Sequence, residues 1–568
     1  MKIIANRSIT IAKFEGIDTH RARVSSKSTS DMVNFRINSE GSIKKREGYR
    51  LICTLDTGIR AIWTGEIQGS LYCYVLAGNT LYLVDTEMGT YYPVGAVNTE
   101  DGDADMFYYR SSLYLIDGDK LYRVGANGLS VPFGYVPLIG KEWDDYKGGE
   151  IFEPRNLLND KGRISYVASE NPSSVLRLDG PVSSIDAVFV NDSLIPDTRY
   201  SINSSGTVLN ISGLAFRDRI MVYFTYASCP YTADKLMKNT HATVFGGINN
   251  SRPFLFGGTD KAMMYSASYV SENSLDDSQR VYPQSDAMYF PYGNEFSVCD
   301  GRYPISAVCR HYDRLLVFTT ENAWMADSNA CGLEEFPVMN INSSVGVKST
   351  HGAAMLENFP YTVGHGAVFR WTSDTDELND CNAYRISEPI EERLSDKFFD
   401  NARVFADHRH REILFTCPEH STRTWVYSAA TSSWTSFSGV NADRFFELGS
   451  KMGFTRQESI YVFDDAMTVD VDREIVAEYV SGNISFDSNE KKYARELCIT
   501  HERGDVQVCV HKDGSSIPAA THNFYAGTNT SMSKKRLNIG RSDYVTVKMT
   551  APSESRQIIH ALYIGASK

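Results

Sequence analysis

The sequence predicts an all-β protein built on a β-propeller, and three observations lead to that prediction. Tyr, Phe and Trp number 33, 28 and 6, beside 41 Gly and 18 Pro. Aromatic residues favour half-buried strands, and Gly favours the turns between them. A hairpin pattern also recurs, and most of its copies start 42 to 61 residues apart. This interval is close to the ~40–50 residues of a four-stranded propeller blade.

The hairpin pattern is clearest at residues 71–85 (LYCYVLAGNTLYLVD), where two apolar runs flank a Gly-Asn turn. Residues 113–124 (LYLIDGDKLYRV) repeat it around an Asp-Gly-Asp turn. A large sandwich or barrel would also contain hairpins, but without a blade-length period. The spacing therefore favours a propeller. Further copies occur at residues 254–266, 315–326, 361–372 and 413–427, with a weaker one from residue 460 onward.

One interval breaks the period, because 141 residues separate the hairpin starts at 113 and 254. Within it, residues 162–226 have the alternation and turns of a separate β unit. An inserted small β-sandwich between two blades explains both facts. Its predicted strands are 187–190, 200–202, 207–211 and 219–225.

After about residue 470 the blade pattern ends and further strands follow. We interpret them as a C-terminal β-sandwich module, with a final irregular blade as the alternative. The predicted strands are 484–486, 496–500, 506–510, 544–549 and 558–564. The expected domains are an N-terminal segment with the first blades (1–154), the inserted sandwich (155–232), the remaining blades (233–470) and the C-terminal β-rich module (471–568).

A single helix is predicted near residues 387–400. Ser387 suits the N-cap position and Pro389 the first turn. Ile390, Leu394 and Phe398 recur every four residues and would share one face of this helix.

The charge balance excludes several classes of partner. Lys and Arg number 57 against 70 Asp and Glu, a net charge of −13 with a pI of about 5.5. Such a chain does not attract phosphate over its whole surface, so non-specific nucleic-acid coating and docking on anionic membranes are disfavoured. The longest apolar runs, such as residues 220–224, are far shorter than the ~20 residues of a membrane span. No membrane-spanning segment is therefore predicted.

The cysteines predict a reducing environment. They contain no CxxC pair, which argues against a zinc ribbon or a dithiol redox site. Residues 1–20 lack the apolar region of a signal peptide. Free thiols in a protein made in the cytosol are therefore expected. The ten residues are Cys53, Cys73, Cys229, Cys299, Cys309, Cys331, Cys381, Cys417, Cys498 and Cys509.

Only one group of side chains has the composition of a metal site. His408, His410, Cys417 and His420 lie within 13 residues of one another and could in principle ligate zinc. Their spacing matches no finger or helical site, and His408 begins a polar HRHR stretch before a strand. We therefore expect a solvated turn there and no metal.

Two acidic pairs are the remaining candidates for chemistry. Asp144 and Asp145 follow Trp143, and Asp464 precedes Asp465. Paired carboxylates could hydrolyse a glycosidic bond, but solvated turns are the simpler interpretation in a chain with 70 acidic residues. No HExxH, GxSxG, Walker loop or GxGxxG before a helix occurs. The sequence therefore predicts no catalytic, cofactor-binding or metal-binding residue, and a protein that is not an enzyme.

The basic run Lys44-Lys45-Arg46 is, by itself, typical of a solvated turn or a small phosphate contact. The surrounding residues 27–51 (KSTSDMVNFRINSEGSIKKREGYRL), however, resemble the opening of bacteriophage tail proteins. Later stretches resemble the same family in the same order. The family comprises the propeller-based hub, or nozzle, proteins of short-tailed phages. The matching stretches are residues 134–158, the inserted unit, 249–253, 289–293, 305–318, 341–346, 364–371 and 484–492.

This resemblance implies a structural virion protein of the phage tail, assembled in the bacterial host cytoplasm and without a cofactor. It implies a ring, usually of six copies, below the portal and the head-to-tail adaptor. Viral DNA would leave through the lumen, and fibre or spike proteins would attach at the side. The inserted sandwich would then face the fibres or bridge subunits.

The acidic balance suits such a conduit, because DNA slides past a surface that does not neutralise its phosphates. Two other classes stay open. A glycan-binding or glycan-hydrolysing propeller would, as an enzyme, need two carboxylates converging in one pocket. A cellular propeller scaffold is the third.

Overall fold

A computed structural model gives the structure of the chain. It describes residues 7–19, 29–125, 127–228, 233–246, 251–259, 261–311, 314–327, 337–372, 382–486, 490–552 and 555–567. Strands account for 54% and helices for 6% of the structure, so the predicted all-β class is confirmed. Within those described ranges, no helix has the length and apolar character needed to cross a membrane.

The first five strands do not form a sheet of their own. The third and fourth pair with each other, and all except the third pair with strands from the second half of the chain. They are β1 Arg7–Ile11, β2 Thr29–Val33, β3 Phe35–Ile37, β4 Ile43–Lys45 and β5 Gly48–Thr54.

Two four-stranded sheets follow, each an antiparallel meander in chain order. We number them blades 1 and 2. Blade 1 contains β6 Ile59–Ile67, β7 Ser70–Ala77, β8 Thr80–Asp85 and β9 Thr90–Ala96. Blade 2 contains β10 Asp105–Tyr109, β11 Ser112–Ile116, β12 Leu121–Gly125 and β13 Gly128–Ser130.

The next segment forms two sheets with a hydrophobic core of their own, which we call the intervening sheets. One has the order β14-β15-β21-β17-β18 and the other β16-β20-β19. Their strands are β14 Leu138–Trp143, β15 Lys161–Val167, β16 Val175–Arg177, β17 Val182–Val190, β18 Ser193–Leu194, β19 Tyr200–Ile202, β20 Val208–Ile211 and β21 Arg219–Tyr226, with a 3₁₀ turn at Asp197–Arg199.

Three further four-stranded meanders follow as blades 3, 4 and 5, after the short helix α1 Ala233–Met237. Blade 3 contains β22 His241–Phe245, β23 Arg252–Phe256, β24 Ala262–Tyr265 and β25 Glu295–Ser297, with α2 Glu272–Gln279 before its last strand and a 3₁₀ turn Cys299–Gly301 after it. Blade 4 contains β26 Ile305–His311, β27 Arg314–Thr319, β28 Ala323–Asp327 and β29 Val338–Asn342. Blade 5 contains β30 Ala353–Leu356, β31 Phe359–Gly364, β32 Ala367–Trp371 and β33 Ala383–Arg385.

Blade 7 takes its fourth strand from the beginning of the chain. β5 pairs antiparallel with β40, from Thr54 opposite Ser459 to Gly48 opposite Asp464. The last two blades follow a 3₁₀ turn Glu388–Arg393 and α3 Asp396–Asn401. Blade 6 contains β34 Arg403–Asp407, β35 Glu412–Thr416, β36 Arg423–Ser428 and β37 Ser433–Ser438, and blade 7 contains β38 Arg444–Leu448, β39 Lys451–Arg456, β40 Ser459–Asp464 and β5.

Two short strands, at residues 469–470 and 473–474, extend blade 7 beyond β5. The other remaining strands build two sheets together with β1 to β4, and we call these the terminal sheets. One contains β3-β4-β49-β44-β47 with β1 on β49, and the other continues blade 6 through β2 into β43-β48-β45-β46. The remaining strands are β41 Val469–Asp470, β42 Arg473–Glu474, β43 Ala477–Ser481, β44 Tyr493–Glu502, β45 Gly504–Lys512, β46 Pro518–Ala526, β47 Ser531–Arg536, β48 Val545–Ala551 and β49 Ile558–Ser567.

Seven hydrophobic clusters join successive blades and close the ring. Val75 of blade 1 packs in one cluster with Ile460 of blade 7, and Leu414 of blade 6 packs with Phe454 of blade 7 in another. The other five clusters join blades 1–2, 2–3, 3–4, 4–5 and 5–6. In the described chain, seven blades pack face to face around a closed ring, which is the arrangement of a β-propeller.

The predicted hairpins are the second and third strands of six blades, as the pairs β7–β8 and β35–β36 illustrate. The copy predicted from residue 460 is different. Its strand β40 has no following partner in sequence and pairs with β5 instead. The strand predicted at 484–486 is wrong. Only Ile484 forms an isolated bridge, to Val545, and Phe486 has a left-handed φ of 56° that cannot continue a strand.

The single helix predicted near 387–400 is also wrong, because two short helices take its place. Leu394 is extended, with φ −103° and ψ 140°, and ends the 3₁₀ turn. The Ser395 hydroxyl then accepts a hydrogen bond from the Phe398 amide at 3.2 Å and caps α3. A serine hydroxyl that accepts from a free backbone amide is typical of a helix start. Ile390 and Phe398, predicted to share one helix, therefore lie in two different elements.

Candidate functional site

Buried charge is concentrated where blades 6 and 7 meet the terminal sheets. A cavity of about 210 Å³ opens there, lined by Glu47, Asp407, His410, Lys451 and Asp465 among others. Its walls are the turn between β34 and β35, the turn between β38 and β39, and the link from β4 to β5. We call the charged groups around this cavity the Arg36 cluster.

Arg36 on β3 holds three carboxylates together. Its Nη2 donates to Glu47 Oε1 at 2.8 Å, while its Nη1 contacts Glu412 and lies 3.9 Å from Asp407 Oδ2. The four side chains are 9% exposed for Arg36 and 4% for each acid. The guanidinium also lies over the Phe437 ring, 4.9 Å from its centre. Buried charges persist only when they are paired, so Arg36 is the group that permits these acids to be buried.

Asp407, His410 and Glu412 have the donor set of a cation site. One potential ligand atom from each lies within 4.8 Å of the others, and His410 Nδ1 is 2.6 Å from Asp407 Oδ2. However, Arg36 Nη1 already contacts Glu412 and approaches Asp407, so a metal ion would have to displace a guanidinium. The arrangement is an ion-pair cluster. In the described part of the chain, the predicted group of His408, His410, Cys417 and His420 does not come together at ligating distance.

Neighbouring cations keep these carboxyls ionised. Burial alone would raise the pKa of Glu47, but the attraction of Arg36 and His410 holds it far below its ordinary value. Burial likewise opposes the charge of Asp407, and the hydrogen bond to His410 together with Arg36 lowers its pKa. Both acids are therefore charged at neutral pH, and neither is suited to donate a proton.

The outer part of the cluster connects to β49 and blade 7. Asp465 contacts Arg409 and accepts a bond from Arg556 Nη1 at 3.0 Å. Arg556 Nη2 also lies 3.5 Å from Glu47 Oε2. The hydrogen bond from Arg409 lowers the pKa of Asp465. These contacts tie the start of β49 to the link between β4 and β5.

A second buried arginine ties the same link to blades 6 and 7. Arg46 is 1% exposed, and its guanidinium pairs with Asp470 through bonds of 2.8 and 2.5 Å. It also donates to Asn34 Oδ1 at 2.9 Å and to the Ser438 carbonyl at 2.9 Å. Such bidentate pairs fix orientation as well as distance. We call the region around Arg36 and Arg46 the joint.

Strand β2 adds two further polar anchors to the joint. Arg423 of blade 6 donates to both carboxylate oxygens of Asp31, at 2.8 and 3.1 Å. Asn34, in a left-handed conformation with φ 58°, donates to Ser438 Oγ and to the Val476 carbonyl, each at 2.8 Å. One short segment thus touches blade 6 and the strands that follow blade 7.

The prediction of a solvated turn for the Lys44-Lys45-Arg46 run is wrong for two of its three residues. Lys45 and Arg46 are each 1% exposed. Burial lowers the pKa of Lys45 to about 8, although the nearby Glu474 acts in the opposite direction. The sequence could not show this burial, because the carboxylate that pairs with Arg46 lies 424 residues away.

The two predicted acidic pairs occupy turns or ion pairs. Asp144 accepts from the amides of Tyr146 and Lys147, and the buried Asp145 accepts from Ser169 and Ser173. Asp464 pairs with Lys451 at 2.6 Å, and this hydrogen bond lowers its pKa. Glycoside hydrolysis needs one carboxylic acid whose pKa is raised, and Asp464 and Asp465 are both shifted in the opposite direction.

The ring interior contains a second group of titratable side chains. The imidazoles of His241 and His351 lie with ring centres 5.2 Å apart, and burial lowers the pKa of both. His241 Nδ1 is 2.8 Å from Thr240 Oγ1. Burial raises the pKa of the nearby Asp105 and lowers that of Arg444. No pattern of local sequence indicated this group, because its members come from blades 2, 3 and 7 and from the residues before blade 5.

Comparisons with known proteins give no family. No protein-family model matches the chain, and no curated protein matches it. Among solved structures, the WD40 domain of SCAP from fission yeast is similar over 81% of this chain and 94% of that domain, at 7% identity and a TM-score of 0.30. The mitotic checkpoint complex is similar over 69% of this chain and 86% of the matched chain, at 8% identity and a TM-score of 0.29.

Proposed function

We propose that the protein is a structural component of a phage tail, a hub or nozzle. In this proposal it forms an oligomeric ring of six copies below the portal and adaptor. The ring conducts viral DNA and anchors fibre or spike proteins. The protein belongs to the virion and catalyses no reaction.

One observation carries the proposal. The segment whose sequence resembles phage tail proteins, residues 27–51, contributes Asp31, Asn34, Arg36 and Arg46 to the joint. It also contains the first four residues of β5, the strand that closes blade 7. The resembling residues thus hold the propeller and the terminal sheets in a fixed relative orientation. A rigid connection of this kind suits a subunit that must keep its shape while DNA passes through an assembly.

The intervening sheets are the proposed inserted sandwich that projects toward fibres or neighbouring subunits. They have a separate core and are anchored to the loop that contains α2. Arg163, with a side chain 1% exposed, donates to the Ser274 carbonyl at 2.9 Å, and Tyr223 Oη donates to the Asp277 carbonyl at 2.9 Å. A module held at its base and free at its far side can bind a partner without disturbing the blades.

The mass of the protein in solution tests the ring. We expect purified protein to form a species of several 63.6 kDa subunits, with a closed ring visible by negative-stain microscopy. A monomer at every protein and salt concentration tested would contradict the proposal. Deletion of residues 138–226 tests the role of the intervening sheets, because virions that still carry fibres would contradict it.

A glycan-binding or glycan-hydrolysing propeller remains the alternative. It predicts a monomer whose melting temperature rises with a bound sugar. The same sample can be screened against oligosaccharides, so the two functions are separated by mass and by thermal shift.

A further inference from the structure

Charge is distributed unequally between the two parts of the molecule. Residues 1–47 and 477–568, which contain β1–β4 and β43–β49, contain 22 Lys and Arg against 14 Asp and Glu, a net charge of +8. Residues 48–476, which contain the blades and the intervening sheets, contain 35 Lys and Arg against 56 Asp and Glu, a net charge of −21. The overall net charge of −13 is therefore the sum of a basic part and a strongly acidic part.

The basic part presents an exposed strand. β47 (SMSKKR) pairs with β44 alone among the described strands, so its other edge is free. Lys534, Lys535 and Arg536 are exposed. Lys534 pairs with Glu496 at 2.5 Å, whereas Lys535 and Arg536 have no ion pair with any residue that the structure describes. Met532 lies on β47 itself, and Tyr525 lies near the end of β46, the strand that precedes β47 in the chain; each is 73% exposed. We call these five residues the basic face.

Blade 1 presents a surface of opposite charge with the same apolar character. The exposed Asp85 ends β8, and the turn from β8 to β9 contains the exposed Glu87. Met88 follows in the same turn and is 77% exposed. Tyr92 on the adjoining strand is 60% exposed. β9 is the outer strand of its blade and contains Pro93. Because proline has no backbone N–H to donate, it disfavours direct pairing of another strand with this edge. We call these residues the acidic turn.

We infer that the basic face of one copy docks on the acidic turn of a second copy. Met532, Tyr525 and Met88 are among the most exposed large apolar residues of the described chain, and such residues beside charges are typical of protein interfaces. Opposite charges at the rim orient the approach and select the partner. The two surfaces belong to different sheets of one chain, so the contact is head-to-tail. Repetition of a head-to-tail contact closes a ring when the rotation permits.

The inference rests on the proposed function only in that both require self-association. It adds the surfaces that make the contact. It also separates two partners of the basic face, since duplex DNA would use the lysines but would leave Met532 and Tyr525 without apolar contacts.

Charge reversal tests the contact. We expect Lys534→Glu/Lys535→Glu/Arg536→Glu and, separately, Asp85→Lys/Glu87→Lys to elute as folded monomers of 63.6 kDa under conditions in which the unmodified chain is oligomeric. An equimolar mixture of the two variants is expected to regain the oligomer, because each reversed surface then meets its complement. Raising the salt to about 0.5 M is expected to weaken the unmodified oligomer, since exposed charges are screened.

A matched control keeps the net charge of the triple variant. Lys238→Glu/Arg310→Glu/Lys397→Glu reverses three exposed charges on the propeller, outside both proposed surfaces and outside the intervening sheets, and it is expected to leave the oligomer intact. An oligomeric triple variant, or a mixture that stays monomeric, would overturn the inference while the ring stands. A triple variant that keeps its mass but loses affinity for a short fluorescent DNA duplex would overturn it in favour of DNA. A monomeric unmodified chain would instead contradict the ring itself.

Discussion

At the residue scale, the joint is governed by two arginines that neutralise acids supplied by distant strands. Arg36 contacts Glu47 and Glu412, and Arg46 forms a bidentate pair with Asp470. Replacing a whole buried ion pair by apolar residues is often tolerated, whereas removal of one partner leaves an uncompensated buried charge. The arginines are therefore the sensitive positions of the joint, while the surface pairs around it are not.

Substitution Arg36→Met is expected to destabilise the protein by about 3–5 kcal/mol, because Glu47 and Glu412 would be left buried without their cation. The measurement is the shift of the urea unfolding midpoint. Arg409→Ala removes an exposed partner of Asp465 and serves as the control, with an expected loss of at most about 1 kcal/mol. Equal effects of the two substitutions would contradict the assignment of Arg36 as the centre of the cluster.

The Arg36 cluster also predicts how stability depends on pH. The pKa values of Glu47 and Asp407 are lowered in the folded protein, so the folded state binds their protons more weakly than the unfolded chain does. The resulting stabilisation is fully present above the unfolded values of about 3.9–4.3 and is lost as the pH falls further. We expect a level melting temperature from about pH 7 to 5 and a decrease below about pH 4.

The comparison variant for this pH series is Glu47→Gln/Asp407→Asn. It is expected to be less stable at pH 7 and to show a shallower decrease in acid, because the titrating groups are gone. An unmodified protein whose melting temperature rises between pH 5 and 3 would show that the cluster carries no such linkage.

At the element scale, the N-terminal strands serve two structures. β1, β3 and β4 belong to one terminal sheet, β2 lies between blade 6 and β43, and β5 completes blade 7. A propeller closed by a strand from the other end of the chain requires a long-range pairing before the ring is continuous. The closure of the propeller ring and the attachment of the terminal sheets therefore both depend on the same segment, residues 7–54.

Gly48, at the first position of β5, is the closest backbone approach in this closure. A Cβ atom there would lie 2.0 Å from the Val469 carbonyl oxygen, so Gly48→Ala must displace backbone. We expect a destabilisation of about 1–3 kcal/mol and faster proteolysis within residues 48–54. Gly58→Ala is the matched control, because a Cβ atom at Gly58 meets nothing within 4 Å. Equal melting temperatures for both variants would show that blade 7 tolerates a shift of the backbone between Gly48 and Val469.

The sequence revealed the elements that depend on neighbours in the chain. The Gly78-Asn79 turn and its flanking runs predicted β7 and β8, because two adjacent strands and their turn carry a local pattern. The pairing of Ser459 with Thr54 and the ion pair between Arg46 and Asp470 join residues about 400 apart, and no local pattern records them. The helix failed for a related reason, since apolar spacing predicted burial of Ile390 and Phe398 but not the break at Leu394. The candidate site was missed because its charges looked solvated in isolation.

At the scale of the whole molecule, the intervening sheets are largely independent of the rest of the fold, whereas the terminal sheets are not. The intervening sheets begin and end between blades 2 and 3 and have a core of their own. The terminal sheets, in contrast, combine strands from both ends of the sequence and share a core with blade 6. Removal of the intervening sheets should therefore affect mainly blades 2 and 3. Removal of strands from the terminal sheets should destabilise the whole molecule.

Deletion of residues 138–226, with a short Gly-Ser linker in their place, is expected to leave a soluble propeller with unchanged far-UV circular dichroism per residue. Its melting temperature is expected to fall, because the deletion also removes Leu157 from the core between blades 2 and 3. Deletion of residues 477–568 is expected to give insoluble protein, because β2 and β4 would lose their strand partners β43 and β49 and expose unpaired edges. Soluble yield and circular dichroism measure both outcomes. A soluble, folded protein without residues 477–568 would contradict this view of the terminal sheets.

The pairing of β1 with β49 sets a time order for synthesis. Arg7 lies opposite Ala566, so β1 waits for its partner until β49 has been made. At about 5–20 residues per second, translation of the intervening chain takes roughly half a minute to two minutes. During that time β1 has no strand partner, and the terminal sheets are incomplete. A chain in which β49 has not yet been made therefore lacks the finished sheet that carries the basic face, so assembly waits for β49.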